Sequence, residues 1–489
     1  MEKLVVEKVN DVNIKIYCDP GVRYELQDYF TFVVPGAKFM PQVRNRYWDG
    51  KIRLFNLATQ QIYAGLLPYI RKFAYDRGYE VEVSDELFDN EFSVHEAEKF
   101  SKGILGKKFT ARDYQLEAVA HAIRTRRCLL LSPTASGKSL IIYLLARYMH
   151  SLGRKVLVVV PTTSLVYQMQ TDFESYGYEE GVRVIDGTQN KSWRSDIDEN
   201  IVVTTWQSIY KMPKPWFTQF GAVMGDEAHN FKSKSLTTLM SKLENCPYRY
   251  GFTGTLDGTQ THKLVLEGLF GAVKKVTTTA ELIDKGTLAD LNIKCLVLKY
   301  PPAICEEHKK DDYRQELDHI VTNPNRNKFI QNLVLSLKGN TLVLFQYVEK
   351  HGKVLYNNIN NEELNGRTVH WVSGEVKGSV REDIRSIVEK ASNDIIIASY
   401  GTFSTGINIV NLDNVVFVSP SKSRIRVLQS IGRGLRKGNK KSTATLYDIA
   451  DDLTWKSKKN YTLQHFAERV KYYNDEKFDY KIYQVNLNG

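Results

Sequence analysis

The sequence predicts an α/β protein: two successive domains on parallel sheets, a small α+β domain before them and a short C-terminal appendage after them. Three observations predict it. Short apolar runs alternate with longer amphipathic stretches from about Phe109, the same pattern restarts after Leu291, and the chain has 489 residues. One hydrophobic core stops growing at roughly 250–300 residues, so a chain of this length divides.

The expected boundaries are 1–100, 101–285, 286–454 and 455–489. In the first part, Leu4 to Tyr17 reads as strands and Tyr63 to Arg77 as a helix entered near Pro68. Glu80 to Glu98 gathers carboxylates and reads as a solvated boundary, although Tyr79 to Val83 has the pattern to pair as a strand. In the second, Cys128–Leu131, Val156–Val160, Ile201–Val203 and Ala222–Met224 each end in polar, Gly or Pro residues. Continuous apolar runs separated by helical segments are what parallel strands with crossover helices look like. Thr341–Phe345, Thr368–Val372, Asp394–Ala398 and Val415–Val418 repeat the pattern in the third part. The tail reads as a helix across Leu463–Tyr472 and an alternating strand at Phe478–Val485, packed on the domain before it.

Composition narrows the class. A hydrophobic fraction of 42% and a charged fraction of 25% are ordinary for a globular chain and exclude fibrous or disordered types. The formal charge of +11 favours a polyanionic partner. Cys18, Cys128, Cys246, Cys295 and Cys305 are scattered with no C-x-x-C pair, which argues against a disulfide framework or a zinc site and for a reducing compartment. Charges interrupt the apolar residues of the opening segment, and no apolar run approaches a membrane span. The expectation is a soluble, cytoplasmic protein with no membrane partner.

The strongest local signal is SPTASGKS, Ser132 to Ser139, between the apolar run Cys128–Leu131 and the helical run Leu140–Met149. Strand, tight loop and helix start together aim backbone N–H groups and the positive helix end at phosphate. Pro133, Thr134, Ala135, Ser136 and Gly137 would form the loop, Lys138 would reach the β- and γ-phosphates of ATP, and the Ser139 hydroxyl would ligate Mg2+. The strict pattern has Gly where Ser132 stands, and often another where Ala135 stands. The other half of the site is GDEAHN. Asp226 follows Ala222–Met224 and so sits at the carboxyl end of a strand, where open α/β sheets bind ligands. Asp226 would hold Mg2+ through water, and Glu227 would polarise the attacking water.

PTASGKS, VVVPTTSLVYQ, VVTTWQS, DEAH, TGT and QSIGRGLR occur in the order and spacing of the superfamily 2 helicases, and from Phe109 to about Arg436 the chain resembles that superfamily. The resemblance implies two RecA-like domains, ATP and Mg2+ as cofactors, and nucleic acid as substrate. Gln115 in FTARDYQ is similar to the adenine-reading glutamine, with Arg112 supporting that loop. Thr253 and Thr255 resemble the residues that relay nucleotide state, with His229 as partner. Thr162, Thr204, Thr205 and Gln207 are similar to strand-contacting loops, which grip phosphates without reading sequence. Ser404, Thr405, Gly406 and Asn408 resemble a loop touching strand and ribose, although the family often has Asp at position 408. Gln429, Arg433 and Arg436 lie four and three apart, on one helix face, and resemble the set that contains an arginine finger.

The overall composition resembles the phage-encoded recombination and repair helicases of that superfamily. This implies action on Holliday junctions, stalled forks and R-loops in the host cytoplasm, by a monomer that works with recombination or single-strand-binding proteins. Outside the core, KFMPQVRNRYWDGKIRLF interleaves Lys38, Arg44, Arg46, Lys51 and Arg53 with Phe39, Tyr47, Trp48 and Phe55. Asp49-Gly50 reads as a two-residue hairpin turn. Such a hairpin either grips DNA and wedges a fork with Trp48, or buries Tyr47 and Trp48 in a small core of its own. A double-stranded DNA translocase, an RNA helicase and a nucleotide-switched clamp stand as alternatives. Lys138, Glu227 and Arg436 together speak against a clamp, which needs no catalytic base.

Overall fold

The computed structural model describes residues 2–84, 90–105, 108–189, 194, 196–364, 366–376, 378–406, 409, 411–435 and 443–487. Contacts divide the chain into two units, Met1–Ser132 with Gly137–Val276, and Pro133–Ser136 with Thr277–Gly489. Among the described residues no helix is long and apolar enough to cross a membrane.

The first unit begins with six short strands: β1 (Lys3–Lys8), β2 (Asn13–Tyr17), β3 (Thr31–Val33), β4 (Lys51–Arg53), β5 (Gln61–Tyr63) and β6 (Glu80–Val83). Four make a sheet of order β5-β2-β1-β6, with β6 parallel to β1, so part of the acidic stretch is a strand rather than a boundary. Alternation places Leu4, Val6, Ile14 and Ile16 on a buried face against the helices Pro20–Tyr29 and Leu67–Arg77. Pro68 at the start of the second helix needs no N–H partner there, and Gly78 ends it in the left-handed conformation.

β3 and β4 form a separate antiparallel ribbon, Thr31 opposite Arg53. This corrects the expected Asp49-Gly50 hairpin. The flank before it is not a strand: Ala37–Phe39 is a 3-10 turn and Pro41–Arg44 a short helix. Pro41 has φ preset for a helix start and no N–H for a ladder, so it opens a helical turn. Asp49 instead accepts from the Lys51 N–H at 3.0 Å, a local turn within one side of the ribbon.

The rest of the unit is one parallel sheet of β7 (Arg127–Leu131), β8 (Lys155–Val160), β9 (Arg183–Ile185), β10 (Ile201–Thr205), β11 (Phe220–Gly225), β12 (Tyr248–Thr253) and β13 (Val273–Lys275). Its order is β13-β7-β12-β11-β8-β10-β9. The N-terminal part is fused to it. Leu264 joins the N-terminal core, the Tyr69 hydroxyl donates to Glu267 at 2.6 Å, and the Asp11 N–H donates to the Glu244 carbonyl at 2.9 Å. Gly65 and Gly268 admit this approach: a Cβ on Gly65 would overlap the Glu267 carbonyl, and one on Gly268 would meet the Tyr63 ring at 2.8 Å.

The second unit carries a second parallel sheet: β14 (Asp290–Lys299), β15 (Thr341–Phe345), β16 (Val369–Val372), β17 (Ile395–Ser399), β18 (Asn414–Phe417), β19 (Thr443–Asp452) and β20 (Tyr480–Asn486). Its order is β16-β17-β15-β18-β19-β14-β20. The tail forms the helix Tyr461–Asp475 and the edge strand β20, which runs parallel to β14. The alternation in β20 buries no continuous face; the helix holds the tail instead. Arg469 forks onto Asp448 of β19, Nε to Oδ2 at 2.9 Å and Nη2 to Oδ1 at 2.8 Å, and the Tyr473 hydroxyl donates to the same carboxylate at 2.8 Å. All three side chains are buried.

Removing one partner of a buried pair leaves an uncompensated charge, at a cost of about 3–5 kcal/mol. Arg469→Leu should therefore lower stability by about that much, read as a fall in the urea midpoint. An unchanged midpoint would show that the tail is held by something else.

Candidate active site

β7 ends at Leu131, and the Ser132 N–H donates to the Thr253 carbonyl at 2.9 Å, tying the loop's start to β12. Ser132 is buried and its φ is not positive, so this loop has no need of Gly there. The left-handed turn falls on Ala135, φ 66°, and on Gly137, φ 79°. A non-glycine residue in that region costs about 1–2 kcal/mol. A Cβ on Gly137 would overlap the Gln115 side-chain amide, so Gly137 is required on two grounds. The helix Lys138–Ser151 starts directly after it and points its N-terminus at the loop.

Asp226 follows β11, and its N–H donates to the Val159 carbonyl at 2.9 Å. Its carboxyl is buried, which pushes its pKa up, while Lys138 opposes that shift. Lys138 Nζ stands 3.1 Å from Glu227 Oε1 and 3.6 Å from Asp226 Oδ1. Glu227 has φ 46° and ψ 51°, a left-handed residue without the freedom of Gly. Strain of this kind concentrates at functional sites. The turn gives Glu227 two faces: Oε1 meets Lys138, and Oε2 lies 3.4 Å from His229 Nδ1. His229 Nδ1 is also 3.0 Å from the Thr253 hydroxyl, which donates to the Thr255 carbonyl at 3.0 Å. That hydroxyl has one proton, so it accepts from His229 and the imidazole proton sits on Nδ1. Lys138, Glu227, His229, Thr253 and Thr255 thus form one connected chain along the carboxyl edge of the sheet.

Gln115 is buried on the helix Asp113–Thr125, and its Oε1 accepts from the Arg112 N–H at 2.9 Å. Arg112 donates to the Tyr114 hydroxyl at 2.9 Å. Sequence reasoning missed Tyr176, whose hydroxyl lies 2.9 Å from Ser139 Oγ. Nothing in SYGYEE marks it, because the contact is made across the fold.

The expected strand contacts differ among themselves. Thr162 caps the helix Thr163–Ser175, and Gln207 is exposed. Thr204 and Thr205 are buried, with hydroxyls bonded to the Ile185 carbonyl at 2.8 Å and to Ser208 at 2.7 Å. Both hydroxyls are therefore engaged within the protein, which leaves the backbone amides of this loop as its polar groups for a strand. Arg44 and Arg46, in the connection between β3 and β4, are exposed, as is Lys51 on β4, and Arg53 is paired with Asp49. Trp48 is half-buried with Nε1 donating to the Lys51 carbonyl at 3.0 Å, whereas Tyr47 is 85% and Phe39 73% exposed. Ser404, Thr405 and Gly406 close the helix Tyr400–Gly406, and Gln429 and Arg433 lie on the helix Arg424–Gly434. Asn408 and Arg436 lie outside the described residues.

The donor set fits a magnesium nucleotide. A helix N-terminus, the half-buried Lys138 ammonium and two adjacent carboxylates converge, and magnesium bound to nucleotide phosphates needs only one or two protein oxygens. Among the described residues no cluster of three or more His, Cys, Asp or Glu side chains could hold a metal by itself.

Three family models match the chain: "DNA helicase UvsW, N-terminal" over residues 6–84, "Type III restriction enzyme, res subunit" over 108–258, and "Helicase conserved C-terminal domain" over 325–438. The chain is 26% identical over 266 residues to the DNA 3'-5' translocase XPB2 of Sulfurisphaera tokodaii, 54% of each chain. It is 36% identical over 499 residues to the ATP-dependent DNA helicase uvsW of Enterobacteria phage T4, covering 97% of this chain and 98% of that one. The crystal structure of T4 UvsW superposes with a TM-score of 0.53 at 34% identity, over 99% of this chain and 100% of that one. With the N-terminal part, the nucleotide loop and the second sheet all matched end to end, the chain belongs to the UvsW family of superfamily 2 ATP-dependent DNA helicases.

Proposed function

We propose that this protein is an ATP-dependent DNA helicase that unwinds or branch-migrates branched DNA, namely Holliday junctions, stalled forks and R-loops, in recombination, repair and replication. The observation that carries the reading is the chain from Lys138 through Glu227 and His229 to Thr253 at the carboxyl edge of the first sheet. A magnesium ion on the nucleotide would neutralise developing phosphate charge. Lys138 and the N–H groups of the loop would hold the β- and γ-phosphates, Ser139 and, through water, Asp226 would hold the metal, and Gln115 would read the base. Glu227 orients and polarises the attacking water. Its second oxygen passes the change in charge to His229 and Thr253, so the state of the nucleotide is felt on the neighbouring strand, β12. Arg433 and Arg436 stabilise charge on the transferring phosphoryl group. Asn408 and Gln429 contact the nucleotide, and Thr162, Gln207, Ser404 and Thr405 the tracked strand.

The ribbon serves the duplex side of a branch. Arg44, Arg46 and Lys51 grip phosphates, and Tyr47, rather than Trp48, is the ring free to stack at the fork. A double-stranded DNA translocase is the second reading, favoured by the restriction-enzyme model over 108–258 and the translocase relative. An assay comparing strand release from forks, four-way junctions and R-loops with third-strand displacement from plain duplex decides between them.

Lys138→Ala should abolish ATP hydrolysis, and Glu227→Gln should keep nucleotide affinity within about threefold while turnover falls by about 100-fold or more. Wild-type turnover in Glu227→Gln would remove the assigned base. Replacing Arg44, Arg46 and Lys51 together by Ala should weaken junction binding and flatten its salt dependence, because fewer counterions are released. Tyr47→Ala should slow unwinding more than it weakens binding. A folded triple variant that binds with the wild-type salt slope would make the ribbon a structural element instead.

A further inference from the structure

The second sheet has a reversal of its own. After β15 the chain winds to β16 and β17 on one side, then crosses to β18 on the other side of β15. Open α/β sheets bind ligands outside the carboxyl ends of the strands at such a point. Gln346 follows β15, and the loop Val418–Ser423 follows β18. The Gln346 N–H donates to Ser419 Oγ at 3.0 Å, and Arg426 donates to Gln346 Oε1 at 3.3 Å, so both sides of the reversal are joined at their base.

A cavity of about 400 Å³ opens there. Tyr313, Tyr461 and His465 line it together with Lys422 and Arg426. The Tyr313 centroid is 5.2 Å from His465 and 6.2 Å from Tyr461, the latter pair meeting edge to face at 77°. These tyrosines are not core residues: Tyr313 is 38% and Tyr461 41% exposed. Burial, with Lys422 and Arg469 nearby, pulls the His465 pKa down to about 4, so at neutral pH it is an uncharged ring. The N-terminus of the helix Tyr461–Asp475 is already satisfied, since Glu316 accepts from the Tyr461 and Thr462 N–H groups at 2.9 and 2.7 Å. Positive charge for a phosphate therefore comes from Lys422 and Arg426 rather than from that helix end.

Rings that keep an open face, beside cations at a sheet's ligand-binding edge, match one chemistry well: an unpaired nucleobase with its backbone phosphate. Bases in a duplex are already stacked and offer no face. We propose that this crevice stacks an unpaired base of a DNA strand on Tyr313 and Tyr461, with Lys422 and Arg426 on the adjoining phosphates. The proposal rests on the reading of the chain as a DNA helicase and adds to it a base-stacking contact on the second sheet.

The test compares a single-stranded oligonucleotide with an abasic strand of equal length and charge, bound by the full chain at two salt concentrations. Wild type should prefer the base-bearing strand, and Tyr313→Leu with Tyr461→Leu should reduce that preference roughly 5- to 100-fold, the range expected for one lost stack. The salt slope should stay, because no cation is removed. Tyr313→Phe with Tyr461→Phe should restore the preference, and 2-aminopurine in the strand should be quenched by the wild-type chain, a readout that needs no variant. A folded Leu variant with the wild-type preference, or no quenching by wild type, overturns the proposal while the helicase reading stands. Wild type that binds neither strand overturns both.

Discussion

Two carboxylates side by side in a buried place cannot both stay ionised without a cation, and that constraint organises the first sheet. Asp226 and Glu227 are adjacent in sequence, Asp226 is buried, and burial works to protonate it. Lys138 stands within 4 Å of both. To bring it there the chain needs a strand end, a tight loop and a helix start at one edge. The same requirement explains two of the left-handed residues that are not Gly, Ala135 on one side and Glu227 on the other. The backbone is bent where the charges must meet, and β7, β11 and β12 supply the rigidity that holds it bent.

Rigidity extends to the N-terminal part. Two glycines let backbone meet backbone and ring at the seam, where any side chain would force the surfaces apart. The Tyr69–Glu267 hydrogen bond lies in the same seam, on the helix Gln260–Phe270 that packs under β12. The ribbon extends from that part with Tyr47 and Phe39 exposed.

The sequence made the parallel sheets legible, because strands buried on both faces are written as unbroken apolar runs, although their order in each sheet was not. It made the nucleotide loop legible for the same reason: Lys138 and the DEAH carboxylates sit at strand ends that can be counted. What it hid depends on contacts between distant segments. Tyr176 beside Ser139 is one case, and the seam glycines are another. The ribbon misled through Asp49-Gly50, a real turn signal that pairs locally while Pro41 converts the expected strand before it to a helix. Thr204 and Thr205 show another limit: a strand buried on both faces engages its own hydroxyls, which the motif alone does not reveal.

The second sheet raises a further question: why it buries two arginine–aspartate pairs when apolar residues of similar volume would pack as well at lower desolvation cost. Asp451 and Asp448 both lie on β19, paired with Arg326 and Arg469. A carboxylate uses only part of each guanidinium fork, and each arginine gives a further donor to the same loop. Arg326 Nη2 donates to the Val418 carbonyl at 2.8 Å, and Arg469 Nη1 to the Ser421 carbonyl at 2.9 Å. Those carbonyls belong to the loop after β18, which has no regular ladder of its own. A leucine in place of either arginine would fill the space and leave the loop carbonyls without donors. The pairs therefore secure the shape of an irregular edge rather than the stability of a regular sheet. That edge lies at the reversal between β15 and β18, where the fold leaves room for a ligand.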